Sequence, residues 1–233
     1  MKRIVILTGA GVSAESGIPT FRDSGGLWEG HHVEEVATPQ GFRRNPELVH
    51  RFYNQRRIDM QSRQPNAAHL AIARLQRAWP DSVTLVTQNV DDLHERGGSP
   101  QVLHMHGELL RIRCVRCETR STCRDAISVD SICQTCGHCG SLRPDIVWFG
   151  EIPFDLDEIC AQDGPLYQAD VFAAVGTSGL VYPAAGFVDI ATSAGSHTIE
   201  FNLQQTEASG LFAESRIGPA SRTVSQWVDE LLC

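Results

Sequence analysis

The chain has 233 residues, 42% of them hydrophobic, and its 20 Lys and Arg against 28 Asp and Glu give a net charge of -8. That length supports one substantial core plus a smaller inserted module, but not three full domains. The acidic balance argues against a nucleic-acid surface, which needs clustered Lys and Arg to displace counterions, and no apolar run approaches the ~18 residues of a membrane span.

From the N-terminus, Ile4-Val5-Ile6-Leu7 reads as a buried strand. It starts within three residues of Met1, which leaves no room for a signal or transit peptide, so a soluble cytoplasmic protein is expected. The strand feeds a G-x-G-x-x-A turn at Gly9, Gly11 and Ala14. Glycines there let backbone approach a pyrophosphate, and a helix start offers it free N–H groups. The continuation does not suit a dehydrogenase. Gly17-Ile18-Pro19 ends the helix after barely two turns, and Glu34 and Glu35, at about the 20-residue offset of a ribose ligand, follow the loop-like "GGLWEGHH". The turn looks nucleotide-binding and the rest does not look redox.

Further on, "NPELVHRFYNQRRIDM" from Asn45 and "PNAAHLAIARLQRAW" from Pro65 have helical periodicity and start at Asn or Pro. The runs "SVTLVTQN", "QVLHMHG", "ADVFAAVGTS" and "HTIEFNL" are near-continuous apolar strands, the kind a parallel sheet covered on both faces requires. The expected fold is α/β, a doubly wound parallel, Rossmann-like sheet over 1–110 and 144–233, with a helical insertion at about 28–60. In such a sheet the carboxyl ends of the strands share one edge. Thr8-Gly9, Gln88-Asn89, His106-Gly107, Gly176-Thr177-Ser178 and Asn202-Leu203 should therefore line one crevice.

Residues 111–143 lack that apolar pattern and hold six of the eight cysteines. Cys114-x-x-Cys117 and Cys133-x-x-Cys136, fifteen residues apart, have the spacing of a tetrahedral zinc ribbon, whose closed four-sulfur shell leaves no site for water and makes the metal structural. Cys136-Gly-His-Cys139 is an equally good knuckle, and Cys123 or His138 could contribute, so the second pair is left open.

Six segments in one order resemble the sirtuins, the NAD-dependent protein-lysine deacylases: "GAGVSAESGIPTFR", "TQNVDDLHERGG", "LHMHGEL", "LRPDIVWFGE", "GTSGLVYPAAG" and "EFNLQ". The resemblance implies that NAD is consumed as a co-substrate. The acyl oxygen of an acylated lysine attacks the nicotinamide ribose, nicotinamide leaves, and the acyl group passes to ADP-ribose. It implies His106 as general base, and an imidazole with a pKa near 6.5 suits taking a proton from a ribose hydroxyl at neutral pH. Asn89 and Asp91 match positions that hold the nicotinamide carboxamide, and Gln88 a ribose contact. Gly9, Ala10, Gly11, Ser13, Glu15, Thr20, Phe21, Arg22, Trp28 and Val90 fall with the cofactor loop and its surroundings, Phe21 shielding the reactive carbon. Gly176, Thr177, Ser178, Asn202, Leu203, Gln204 and Ala220 fall on the adenine-ribose side. Gly150-Glu151 and Gly179-Leu180-Val181 match two extended stretches that receive the peptide substrate as a β-strand.

Tyr53 and Arg56, three residues apart on one helix face, match the Tyr-x-x-Arg pattern of class III sirtuins, which remove succinyl and malonyl groups. A guanidinium grips a carboxylate bidentately, and the phenol adds one more hydrogen bond. Ala37 matches a small residue that enlarges the acyl pocket. The implied partners are acylated-lysine proteins, the expected state is a monomer, and bacterial members also remove acetyl groups. Three other readings stay open on residues alone: a protein ADP-ribosyltransferase, a zinc-stabilised NAD-binding module without catalysis, and a hydride-transfer enzyme.

Overall fold

The computed structural model describes residues 2–19, 27–28 and 30–233. In chain order the elements are β1 (Ile4–Thr8), α1 (Ala10–Ala14), the short hairpin strands β2 (Leu27–Trp28) and β3 (His31–His32), then α2 (Val33–Val36), α3 (Pro39–Arg44), α4 (Pro46–Gln61) and α5 (Ala67–Ala78). There follow β4 (Val83–Thr87), α6 (Leu93–Arg96), β5 (Leu103–His104), β6 (Gly107–Cys114), β7 (Arg120–Thr122) and β8 (Leu142–Ile146). The chain ends with α7 (Leu156–Cys160), α8 (Pro165–Gln168), β9 (Val171–Val175), α9 (Phe187–Ser193), β10 (His197–Asn202), β11 (Glu214–Ile217) and α10 (Ala220–Leu232).

Six strands form one parallel sheet in the order β11-β10-β9-β1-β4-β5. The two-residue period of a strand divides β1 between two cores. Ile4 and Ile6 join Leu85, Ala173 and Phe201 under α5 and α10, while Val5 and Leu7 join Val86, Phe172 and the α9 residues Phe187, Val188 and Ala191. Both faces are covered, which is why the central strands β1 and β9 are buried along their whole length. The chain adds strands first on one side of β1 and then on the other. The switch of direction falls between β1 and β9, where the carboxyl ends of such a sheet open a binding crevice.

Helices begin where their caps dictate. The Asn45 side chain accepts the Leu48 N–H at 3.1 Å with Pro46 in the first turn, and the Asn66 side chain accepts the Ala68 N–H at 2.9 Å. Helix α1 is only five residues long, as the Gly-Ile-Pro stop requires.

One expectation needs correction. "QVLHMHG" is not one strand: β5 stops at His104 and β6 starts at Gly107 in a different, antiparallel sheet of order β7-β6-β8. Gly107 makes the turn, with φ +82° and so little room that a Cβ would lie 2.0 Å from the Asp145 carbonyl oxygen. That sheet carries the cysteine segment and runs from Gly107 to Ile146, past both ends of 111–143. The edge strand β11 is an element that the apolar runs do not announce, its "ESRI" being half-exposed.

Candidate active site

The crevice is built from two glycine turns pressed together. Gly9 N–H donates to the Val175 carbonyl at 2.9 Å and Gly11 N–H to the Gly176 carbonyl at 2.8 Å, joining the ends of β1 and β9. A Cβ on Gly11 would stand 2.7 Å from the Gly176 Cα, so only glycine allows this approach. The turn is tied to the end of β4 by a buried network. Asn89 Nδ2 donates to the Gly9 carbonyl and to Ser13 Oγ, both at 3.2 Å, and Ser13 Oγ donates to Asp91 Oδ2 at 3.0 Å. Asp91 Oδ1 accepts from Leu93 N–H at 3.1 Å. Burial raises the Asp91 pKa above the usual carboxylate value against these bonds. His69 Nε2 meets Ser13 Oγ at 3.4 Å and His94 Nε2 meets Thr8 Oγ1 at 3.0 Å, so two buried histidines underpin the network. Sequence reasoning missed both; "AAH" and "DLH" lie in helices where one histidine carries no signal.

Two more histidines stand at the end of β5, with pKa values shifted in opposite directions. Both ring nitrogens of His104 face acceptors, the Asn89 carbonyl at 3.2 Å and Glu95 Oε1 at 2.7 Å, an arrangement that favours the doubly protonated ring. Burial opposes that charge, but Glu95 outweighs it and raises the pKa. His106 has one such partner, the Gln88 carbonyl, 3.1 Å from Nδ1. Because a carbonyl can only accept, Nδ1 carries the proton and Nε2 keeps its lone pair. Burial lowers the His106 pKa more than the Gln88 bond raises it, which favours the neutral ring. The side chain of Gln88 donates to Thr177 Oγ1 at 3.1 Å, bridging β4 to the Gly176 turn.

At the far end, Asn202 is buried and donates to the Thr177 carbonyl at 3.1 Å and to Glu200 at 3.2 Å. Ser178 Oγ accepts from Leu180 N–H, Ala220 opens α10, and Leu203 and Gln204 are exposed. Glu15 accepts from Ser221 N–H at 2.9 Å and Oγ at 2.5 Å, capping α10. Val90 holds the start of the antiparallel sheet through its carbonyl, which accepts from Leu109 N–H at 2.8 Å. Thr20, Phe21 and Arg22 lie outside the described residues.

A third apolar cluster packs α4 against the ends of β6 and β8. It holds Ala37, Phe52, Tyr53, Leu109, Ile146 and Trp148, with Trp28 packed against it. Tyr53 is fully buried, and its phenol oxygen accepts from Trp148 Nε1–H at 2.9 Å. One turn on, the Arg56 guanidinium lies 4.8 Å from the Phe52 ring centroid and 3.4 Å from Asp59. Ala37 offers its carbonyl to Phe149 N–H at 3.0 Å.

The two stretches expected to be extended are not strands. Gly150, at φ +90°, lies in a turn that Glu151 N–H closes on the Trp148 carbonyl at 2.9 Å, and Gly179-Leu180-Val181 forms bends. Glu151 is held by Arg143 at 2.7 Å, Arg113 at 2.8 Å and the Trp148 N–H at 2.9 Å, so its carboxylate braces the protein. The "WFGE" segment gives no sign of those two distant arginines.

In the module the sulfurs of Cys114, Cys117, Cys133 and Cys136 lie within 4.8 Å of one another, with two separations of 3.7 Å. Sulfurs about 2.3 Å from a tetrahedral zinc stand about 3.8 Å apart, so the four thiolates fit that ion. Cys139 turns its sulfur to the Asp130 carbonyl and Cys123 to the Asp125 carbonyl, and neither they nor His138 join the cluster.

A Rossmann-type sheet whose switch point carries glycine turns, a histidine beside them and a four-cysteine module defines a nucleotide-binding enzyme with a structural metal site. The model of the Sir2 family matches residues 9–183. An NAD-dependent protein deacylase from Shigella flexneri is 53% identical over 232 residues, which cover 99% of this chain and 84% of that protein. A solved Sir2 homologue in complex with NAD superposes with a TM-score of 0.88 at 40% identity, covering 99% of this chain and 90% of that one. A Sir2 protein bound to an acetylated peptide gives 0.82 at 29% identity, covering 98% and 92%. The chain belongs to the Sir2 family.

Proposed function

We propose that this Sir2-family chain removes acyl groups from protein lysines at the expense of NAD, giving nicotinamide and O-acyl-ADP-ribose, and that it takes succinyl and malonyl groups as well as acetyl. The observation that carries the dicarboxylic reading is the placement of Tyr53 and Arg56 three residues apart on one face of α4, with Tyr53 and Ala37 in the same apolar cluster. A cation and a hydroxyl beside an apolar cluster suit a carboxylate at the end of a short acyl chain.

The other residues take roles that follow from their bonds. Gly9, Ala10 and Gly11 bring backbone to the pyrophosphate, and Asn89 and Asp91, fixed by Ser13, receive the nicotinamide amide, which needs both a donor and an acceptor. His106 takes a ribose hydroxyl proton at Nε2 while the Gln88 carbonyl holds Nδ1–H. Gly176, Thr177, Ser178 and Asn202 form the adenine-ribose side, and the peptide lies along Gly150 and Gly179-Leu180-Val181. NAD supplies the electrophilic ribose carbon that the acyl oxygen attacks. Cys114, Cys117, Cys133 and Cys136 hold a structural zinc in a module, about 111–143, set into the nucleotide-binding domain. With four of the eight cysteines assigned to the metal, a cytoplasmic place of action belongs to the same reading.

The test is to incubate the protein with NAD and matched acetyl-, succinyl- and malonyl-lysine peptides and weigh the products. Free lysine peptide with O-acyl-ADP-ribose supports the reading, whereas ADP-ribose on the peptide would indicate transferase chemistry. Acetyl turnover alone would remove the dicarboxylic part.

A further inference from the structure

The Tyr53 phenol is fully buried, and among the described residues Trp148 is its hydrogen-bond partner, donating Nε1–H to the phenol oxygen at 2.9 Å. An indole N–H can only donate, so this bond occupies the acceptor side of the phenol and turns its O–H proton away from the indole. Burial raises the phenol pKa, so the proton stays on the oxygen and remains available to an acceptor.

Trp148 is itself held on several sides. It is 2% exposed, the Arg143 guanidinium carbon lies 3.3 Å from its ring centroid, and the Phe42 ring lies 5.3 Å away. Glu151 bonds Arg143 through both oxygens, at 2.7 and 3.1 Å, and also accepts from the Trp148 backbone N–H at 2.9 Å. Both rings are fixed by packing, so the phenol O–H, which alone can rotate about its C–O bond, orients to the indole N–H.

Resting on the dicarboxylic reading above, we propose that Trp148 is a positioning residue for acyl selectivity. Its indole N–H aligns the Tyr53 phenol so that the O–H donates to the distal carboxylate of a succinyl or malonyl lysine. An acetyl group has no acceptor there, so the alignment serves only the longer acids. The Arg143–Glu151 pair acts one step further back by fixing the indole plane.

The test is a double-mutant cycle on the full chain, with kcat and KM measured for succinyl- and acetyl-lysine peptides in wild type, Trp148→Phe, Tyr53→Phe and the double variant. Loss of one aligned hydrogen bond predicts a rise of roughly three- to tenfold in succinyl KM for Trp148→Phe, with acetyl KM changed by less than about twofold. In the Tyr53→Phe background, Trp148→Phe should add nothing further to the succinyl KM. Additive effects, or equal losses on the two peptides, would overturn the proposal. If Trp148→Phe does not fold, benzothienylalanine at position 148 keeps the ring shape and replaces the N–H by sulfur, and the same selective rise in succinyl KM is expected. The wild-type arm separates the two levels, because absent succinyl turnover there refutes the dicarboxylic reading before any variant is compared.

Discussion

Replacing Arg56 by Met tests the acyl pocket apart from the catalytic machinery. Met keeps most of the apolar stem that lies against Phe52 and removes the charge. The two contacts with Asp59 and Phe52 are themselves weak. The Arg56–Asp59 pair is 3.4 Å long, with side chains 19% and 44% exposed, and such a pair contributes about 0–1 kcal/mol. A guanidinium over an aromatic ring at a partly exposed site adds roughly 0.5–1 kcal/mol. A loss of about 1 kcal/mol lowers Tm by roughly 2–4 °C for a chain of this size. On the succinyl reaction the cost is large, because a charge-assisted hydrogen bond is worth about 1.5–3 kcal/mol and a bidentate grip lies at or above the upper end. At 1.4 kcal/mol per factor of ten, succinyl-peptide kcat/KM should fall by about two orders of magnitude. Acetyl-peptide kcat/KM should change by less than about tenfold, since NAD, His106 and the peptide groove are common to both. Steady-state kinetics of the two peptides on one preparation decide the matter. Equal losses would show that Arg56 supports the fold or the NAD site, and unchanged rates would return it to an ordinary helix surface.

His106→Ala should keep the fold and NAD binding, measured by calorimetry, and lose a factor on the order of 10²–10⁴ in turnover. Because burial lowers the His106 pKa below 6.5, kcat/KM in wild type should hold down to that pH and fall only on the more acid side. His69, buried and with its pKa lowered to about 4, makes stability pH-dependent. The folded pKa is below the unfolded value near 6.5, so its contribution is complete above pH 6.5. It is lost as pH falls towards 4, by roughly 3 kcal/mol, and urea unfolding of His69→Gln should show a flatter profile over that window. Metal analysis should give about one zinc per chain, and chelation should lower Tm while leaving residual activity that falls with the folded fraction. Gly11→Ala should disrupt the joined turns, because its Cβ would stand 2.7 Å from the Gly176 Cα; normal NAD affinity in that variant would contradict the close approach.

Much of this molecule is legible in local sequence. The runs at Ile4–Thr8 and Val171–Val175 are fully buried strands because both faces of the sheet are covered, and Asn45 and Asn66 start helices because their side chains satisfy free N–H groups a few residues away. The Cys114 and Cys117 pair is equally local. Each of these signals acts between neighbours in the chain, where geometry is nearly fixed by residue type. What the sequence left open lies between distant residues. Cys133 and Cys136 rather than Cys139 face the first pair because the fold of the loop aims those sulfurs inward. Glu151 is a brace because β6 and β8 bring Arg113 and Arg143 to it. His104 and His106 sit two residues apart with pKa values shifted in opposite directions because only one of them meets a carboxylate. The bond from Trp148 to Tyr53 spans 95 residues. No short-range preference encodes such a contact; it exists only once the helix and the sheet have packed and excluded water, which is also what makes one hydrogen bond there strong enough to set the direction of another.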